Sequence, residues 1–124
     1  QEVIGSYVSV LNACDYSYAN HWKNAAHLIA DSGRASEIET ALATKRPEVA
    51  FEGAELALLR YAEKLTMTPG HMEESDVVAL REEGLDDGQI LEANQIICYF
   101  NYVNRSLNGL GVNTKGDIVG FYAD

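Results

Sequence analysis

Cysteines, basic residues and long apolar runs are all scarce in this sequence of 124 residues. The two cysteines, Cys14 and Cys98, are too few for a disulfide scaffold, and they suit a reducing compartment. No apolar run approaches the roughly 18 residues that would span a bilayer, and no secretory signal pattern is present. The sequence therefore predicts a cytoplasmic protein without a membrane span.

Positive charge is particularly scarce. Nine lysines and arginines stand against 19 acidic residues, which gives a net charge of −10, and the nine are scattered along the chain. A phosphate backbone needs a basic face on its protein partner, and none can be built from this set. Nucleic acids and anionic membranes are therefore not expected as partners.

The sequence is rich in apolar residues at helical spacing. The length and a hydrophobic fraction of 47% indicate one globular domain over residues 1–124. No segment shows the sustained alternation with β-branched residues that is typical of a strand. We expect an all-α bundle of about six helices, at roughly 2–12, 14–31, 35–43, 50–66, 73–83 and 87–108, with an irregular tail at 113–124.

Local signals set the predicted helix boundaries. Ser32-Gly33 is a C-terminal signal that ends the second helix. Asp86 with Gln89 three residues on forms a capping-box pattern at the start of the last helix. The chain opens directly on a helical pattern without a cap, so we expect the first helix to begin upstream of Gln1.

The last predicted helix has two stripes of different character. Its apolar stripe consists of Ile96, Phe100, Val103 and Leu107. Its polar stripe consists of Asn94, Cys98, Asn101, Arg105 and Asn108. This polar stripe either faces solvent, or part of it lines a pocket or a subunit interface. Asparagine is a mediocre helix former, and four of them between 94 and 108 would be unusual on a solvated face.

Cys14, Ser17 and His21 lie within about 60° of one another on a helix. The same face continues to Ala25 and Leu28, so the three are predicted at the N-terminal end of a core-facing stripe. A helix dipole favours a thiolate there, and a neighbouring imidazole can take up its proton. The alternative is structural, because a buried cysteine usually acts as a small hydrophobe and a serine near a helix start as a cap.

Metal and cofactor binding are not expected from these residues. One cysteine and one histidine at this spacing supply too few ligands for a structural zinc site. His27 and His71 have no obvious ligand partners in the sequence.

The spacing of Glu2, Cys14, Ser17 and His21 resembles the pattern E-x11-C-x-x-C-x-x-x-H. That pattern belongs to the peroxidase branch of the alkylhydroperoxidase D and carboxymuconolactone decarboxylase superfamily. Further segments are similar, in order, to the subgroup called peroxidase-related proteins: 8–14, 62–69, 79–85, 99–105 and 109–112. The resemblance covers about residues 2–112.

The resemblance implies a compact all-α subunit that forms homo-oligomers, commonly dimers, trimers or hexamers. It also implies an antioxidant oxidoreductase that reduces hydroperoxides with a cysteine pair and a thiol reductant. Residue by residue, Glu2 matches the acid of a proton relay, His21 its base and Cys14 the resolving cysteine. Ser17 occupies the position of the peroxidatic cysteine.

The serine at this position departs from the family pattern. A hydroxyl cannot become a sulfenic acid or a disulfide, so Cys14 and Ser17 cannot run the family's redox cycle. Three explanations are open: an engineered replacement, a natural protein that lost the peroxidase step, or Cys14 acting alone with Cys98 or an outside thiol as resolver.

Two other kinds of function stay open beside an impaired peroxidase. One is a cofactor-free, decarboxylase-like lyase or a hydrolase that uses proton transfer by His21 and Glu2. The other is a non-catalytic oligomeric binding protein. The fold alone cannot choose among the three, because one fold hosts different activities.

Overall fold

The computed structural model describes residues 1–113 and 115, and all regular structure within them is helical. The six α-helices are α1 (Glu2–Leu11), α2 (Asp15–Ile29), α3 (Ser32–Ala43), α4 (Gly53–Met67), α5 (Glu74–Glu82) and α6 (Asp87–Leu110). Two short 3₁₀ helices, Pro47–Val49 and Pro69–His71, occupy connections between them. The predicted all-α fold is confirmed. The predicted irregular tail lies outside the described residues, except for 113 and 115.

The boundary between α2 and α3 differs from the prediction. α2 ends at Ile29, because Ala30 adopts a left-handed conformation with φ of 64°. The carboxylate of Asp31 then accepts a backbone N–H three residues on, at 3.0 Å, and caps α3. α3 therefore starts at Ser32 instead of 35, and Gly33 lies in its first turn. The glycine signal was wrong because the aspartate cap begins a new helix at that point.

The predicted start of α6 is confirmed. Asp86 Oδ1 accepts the backbone N–H of Gln89 at 2.8 Å, and Gln89 Oε1 accepts the backbone N–H of Asp86 at 2.9 Å. Both halves of the capping box are thus present, and two N–H groups that the helix leaves unpaired are satisfied.

α1 is the central helix of the bundle. It packs against α2, α3, α4 and α6, and its side chains are buried on opposite faces. Tyr7 and Leu11 belong to an apolar cluster shared with α2, α3 and α4, whereas Val8 belongs to a second cluster shared with α4, α5 and α6. Residues on α1 can therefore meet side chains from several helices.

The buried face of α6 runs between the two stripes that the sequence predicts. Its buried residues are Ile90, Ala93, Ile97, Phe100, Asn101 and Asn104. In the apolar stripe, only Phe100 is buried, and the other three members are half-buried. In the polar stripe, Asn101 is buried whereas Cys98, Arg105 and Asn108 are exposed. The polar stripe therefore does not face solvent as a whole, because Asn101 lies in the interior.

No helix in the described part of the chain combines the length and the apolar character that crossing a bilayer requires.

Candidate functional site

A tight connection folds α2 back against α1 and brings the candidate residues to the centre of the bundle. Ala13 takes a positive φ of 51° in this connection. The backbone N–H of Cys14 donates to the carbonyl of Ser9 at 2.8 Å, and the Cys14 carbonyl accepts the N–H of Tyr18 at 2.9 Å. Cys14 is therefore the N-cap residue of α2, and its position against α1 is fixed by the backbone.

Glu2 and His21 form a hydrogen-bonded pair that joins the start of α1 to the middle of α2. His21 Nδ1 lies 2.8 Å from Glu2 Oε2, and both side chains are about one quarter exposed. An ionised carboxylate can only accept, so Nδ1 carries the proton of this bond. In the neutral ring, Nε2 is then the basic nitrogen, as general-base chemistry requires.

Phe100 of α6 packs against the imidazole of His21. Its ring meets the His21 ring edge-on, with centroids 4.7 Å apart and an interplanar angle of 82°. The ring also lies over Gly5, where a Cβ atom would stand 2.6 Å from the Phe100 Cζ. A glycine at position 5 therefore allows α6 to approach α1 closely enough for Phe100 to contact His21.

Ser17 is almost fully buried, with 3% of its surface exposed, and its hydroxyl lies 2.8 Å from the hydroxyl of Ser9. The Ser9 hydroxyl also lies 2.6 Å from the carbonyl of Gly5. A carbonyl can only accept and Ser9 has a single hydroxyl proton, so Ser9 donates to Gly5. Ser17 is then the donor to Ser9. Its proton points to α1, not to the imidazole of His21.

The two cysteines have different environments and are both free thiols in the described residues. Cys14 is 2% exposed, between α1 and α2. Cys98 is exposed on α6, with its sulfur 3.8 Å from Asn94 Oδ1.

Buried amides extend the polar contacts of Ser9 to the end of α1. Asn104 Nδ2 donates to Ser9 Oγ at 3.4 Å. Asn12 Nδ2 lies 3.2 Å from Asn104 Oδ1 and 2.9 Å from Asn101 Oδ1. These contacts explain why α6 can bury asparagines, since each finds a partner in the interior. Sequence reasoning treated Asn12 only as the end of a helix and did not identify Ser9 or Asn104.

A surface depression of about 440 Å³ opens on the Glu2–His21 pair. On the α6 side it is lined by Glu92, Gln95, Ile96, Tyr99 and Phe100. Neither Cys14 nor Ser17 lines it. Small molecules can therefore reach the imidazole and its carboxylate directly, whereas the two residues at the start of α2 are enclosed.

The four sequence-predicted site residues thus fall into two groups. Glu2 and His21 are in contact and partly exposed, and Cys14 and Ser17 are buried one to two turns earlier on the same side of α2. The core-facing stripe predicted from Cys14 ends at Ala25, because Leu28 is 61% exposed. Among residues 1–113 and 115, no group of three or more histidine, cysteine or acidic side chains has an arrangement that could hold a metal ion.

Among solved structures, the chain is similar to the crystal structure of an uncharacterized peroxidase-related protein from Silicibacter sp. TM1040. The two share 24% sequence identity with a TM-score of 0.80, over 94% of this chain and 61% of the other. No family model and no curated protein matches the sequence. The likeness shows a shared fold, and this chain spans about three fifths of that protein's length.

Proposed function

We propose that the chain has the architecture of a thiol-dependent hydroperoxide reductase of the alkylhydroperoxidase D-like type, in which Ser17 prevents the disulfide cycle. The observation that carries the proposal is the 2.8 Å contact between Glu2 and His21, which lie 19 residues apart. The fold shared with a peroxidase-related protein supports it. So does the position of Cys14 and Ser17 at the start of the helix that carries His21.

The chemistry assigns a distinct role to each position. A thiolate at position 17 attacks the terminal oxygen of a hydroperoxide, which breaks the O–O bond and leaves a sulfenic acid and an alcohol. His21 accepts the thiol proton and returns a proton to the departing alkoxide, while Glu2 holds the ring through Nδ1. The Cys14 thiol then displaces water from the sulfenic acid to form a disulfide, which an external dithiol reduces.

The parent chain, which carries Ser17, cannot perform the first of these steps. Serine has no sulfur to oxidise, and its hydroxyl proton is donated to Ser9. We therefore expect no consumption of hydroperoxide by the parent chain with a dithiol reductant.

Replacing Ser17 with cysteine tests the proposal. Ser17→Cys should consume cumene hydroperoxide over many turnovers in a coupled assay with dithiothreitol. Adding Cys14→Ala should limit oxidation to the sulfenic acid, trapped with dimedone and measured by mass spectrometry. Adding His21→Ala should lower the rate by about 10²-fold, the usual contribution of a general base.

The matched control is Ser17→Ala, which lacks both the thiol and the hydroxyl. If Ser17→Cys keeps its helical circular dichroism and thermal transition but reacts no faster than Ser17→Ala, the proposed mechanism is wrong.

One observation favours a second candidate, a lyase or hydrolase that works by proton transfer. The depression reaches Glu2 and His21, but it does not reach Cys14. Such an enzyme would keep its activity in Cys14→Ala and lose it in His21→Ala. Loss of that activity in Cys14→Ala as well would exclude this candidate.

We also propose that the chain forms homo-oligomers through the exposed face of α6. Leu91 and Tyr102 are 58% and 74% exposed on this helix. Large apolar side chains grouped on one exposed helix are typical of protein interfaces. Light scattering that gives a monomer mass at micromolar concentration would exclude such an assembly.

A further inference from the structure

We infer that the depression beside Glu2 and His21 selects uncharged ligands over anionic ones, and that Glu92 sets this selection. The inference deepens the proposed function and rests on it in one respect, since it takes this opening as the place where a substrate approaches the site. It assigns a substrate class to the depression and a specificity role to a residue of α6.

The position of Glu92 follows from the periodicity of α6. Glu92, Ile96 and Phe100 follow one another at steps of four residues, which keeps them on one side of the helix. Phe100 contacts His21, so this side of α6 faces the pair. Glu92 lies eight residues before Phe100, about 12 Å along the axis. It therefore lines the depression at the opposite end of the α6 wall from Phe100 and its contact with His21.

The charged side chains of the depression favour exclusion of anions. Both Glu2 and Glu92 are carboxylates, and among residues 1–113 and 115 no lysine or arginine lines the depression. Beside a neutral His21, an anionic ligand would thus approach two carboxylates with no lysine or arginine next to them, within a chain of net charge −10. A cleft lined by one sign of charge lowers the local concentration of ligands of the same sign.

The apolar side chains of the depression supply the attraction for an uncharged ligand. Ile96, Tyr99 and Phe100 present an aliphatic and an aromatic surface next to the imidazole. A volume of about 440 Å³ suits a small ligand. The substrate class that fits is a small alkyl or aryl compound without a carboxylate. For the proposed reaction, this means an uncharged organic hydroperoxide.

Glu92 can be tested separately from the relay. Glu2 is hydrogen-bonded to His21, so replacing Glu2 would also remove the hydrogen-bond partner of the imidazole. Glu92 is exposed and can be replaced without disturbing that contact.

The experiment is an NMR titration of the parent chain with methyl benzoate and with benzoate, observing the ring resonances of His21 and Tyr99. The two probes have the same ring and differ in charge. In a buffer of about 10 mM ionic strength, where exposed charges are screened only beyond about 30 Å, we expect methyl benzoate to bind at least about fivefold more tightly than benzoate, the effect of a like charge a few ångströms away in water. Glu92→Lys should reduce this ratio by at least about threefold, with Glu92→Gln in between.

The matched control is Glu82→Lys, which changes the net charge equally at an exposed position of α5 outside the depression. It should leave the binding ratio unchanged. Equal affinity for the two probes overturns the inference, as do the absence of ring shifts with either probe and an equal effect of Glu82→Lys and Glu92→Lys.

The binding ratios are measured without any enzymatic turnover, so they test charge selection separately from the peroxidase proposal. An inactive Ser17→Cys variant would refute the peroxidase proposal and leave the binding ratio standing. Conversely, equal binding of the two probes would refute charge selection even where Ser17→Cys is active.

Discussion

Gly5 shows how one residue without a side chain shapes the candidate site. The Phe100 ring lies where a Cβ of residue 5 would be, at 2.6 and 2.7 Å from two ring atoms. The same ring meets His21 edge-on. The packing of α6 on α1 and the setting of the imidazole thus depend on the same contact.

Gly5→Ala should therefore destabilise the protein and move His21. The added methyl group forces the Phe100 ring to shift, and overpacking of this kind costs about 1–3 kcal/mol in the free energy of unfolding. Urea denaturation measures that loss, and the His21 ring resonances report the displaced aromatic neighbour.

Gly109→Ala is the control for this substitution. Gly109 also lies in a helix, but a Cβ there meets nothing within 4 Å. Alanine at that position should be neutral or stabilise by up to about 1 kcal/mol. Equal stability changes at the two positions would contradict the steric account. Combining Gly5→Ala with Phe100→Leu should recover part of the lost stability, because the smaller side chain leaves room for the methyl group.

At the scale of the helices, elements were easier to predict than the faces that they bury. Helical spacing and the Asp86 capping box are local signals, and they located six helices and the start of α6. The end of α2 was predicted too late. Ser32-Gly33 signals the end of a helix, but Asp31 caps the start of the next one, and only the backbone conformation shows which signal applies.

Which side of α6 is buried could not be derived from the sequence of this helix alone. Asn101 and Asn104 are buried because Asn12 and Ser9 of α1 and its following turn offer them hydrogen bonds. Such partners are distant in sequence, so a periodicity argument assigns asparagine to solvent. The excess of asparagines on α6 was the one signal that pointed to an interior role.

In the candidate site, too, local sequence signals predicted some residues, whereas others depend on contacts between distant helices. Spacing within α2 placed Cys14, Ser17 and His21 on one side of a helix, and the family resemblance added Glu2, which in the structure contacts His21. Phe100 and Glu92 were missed as site residues, because their proximity to His21 depends on how α6 docks on α1 and α2. The family pattern also gave no indication that Ser17 donates its proton to Ser9.

At the scale of the whole molecule, the central position of α1 couples folding to tyrosine ionisation. Burial, with a further contribution from the Glu63 carboxylate, raises the pKa of Tyr7 well above its usual value. Burial and then Glu39 raise the pKa of Tyr18 to about 12. Both rings belong to the apolar cluster around α1, Tyr7 within it and Tyr18 against it.

A raised pKa in the folded state has a definite sign for stability. The folded protein holds the phenolic proton more tightly than the unfolded chain, whose tyrosines titrate near pH 10. The stabilisation is fully present below pH 10 and is lost as the pH rises, through about pH 12 for Tyr18 and beyond for Tyr7. The free energy of unfolding should therefore fall steeply above pH 10.

Tyr7→Phe isolates the larger of the two contributions, since phenylalanine keeps the ring and cannot ionise. Relative to the parent, the variant should gain about 1 kcal/mol at pH 11 over any difference seen at pH 8, measured by urea denaturation at both pH values. Tyr99→Phe, at a position 63% exposed, is the matched control and should leave the pH dependence unchanged. A parallel decline of all three proteins between pH 8 and pH 11 would show that the ionisation of Tyr7 is not coupled to folding.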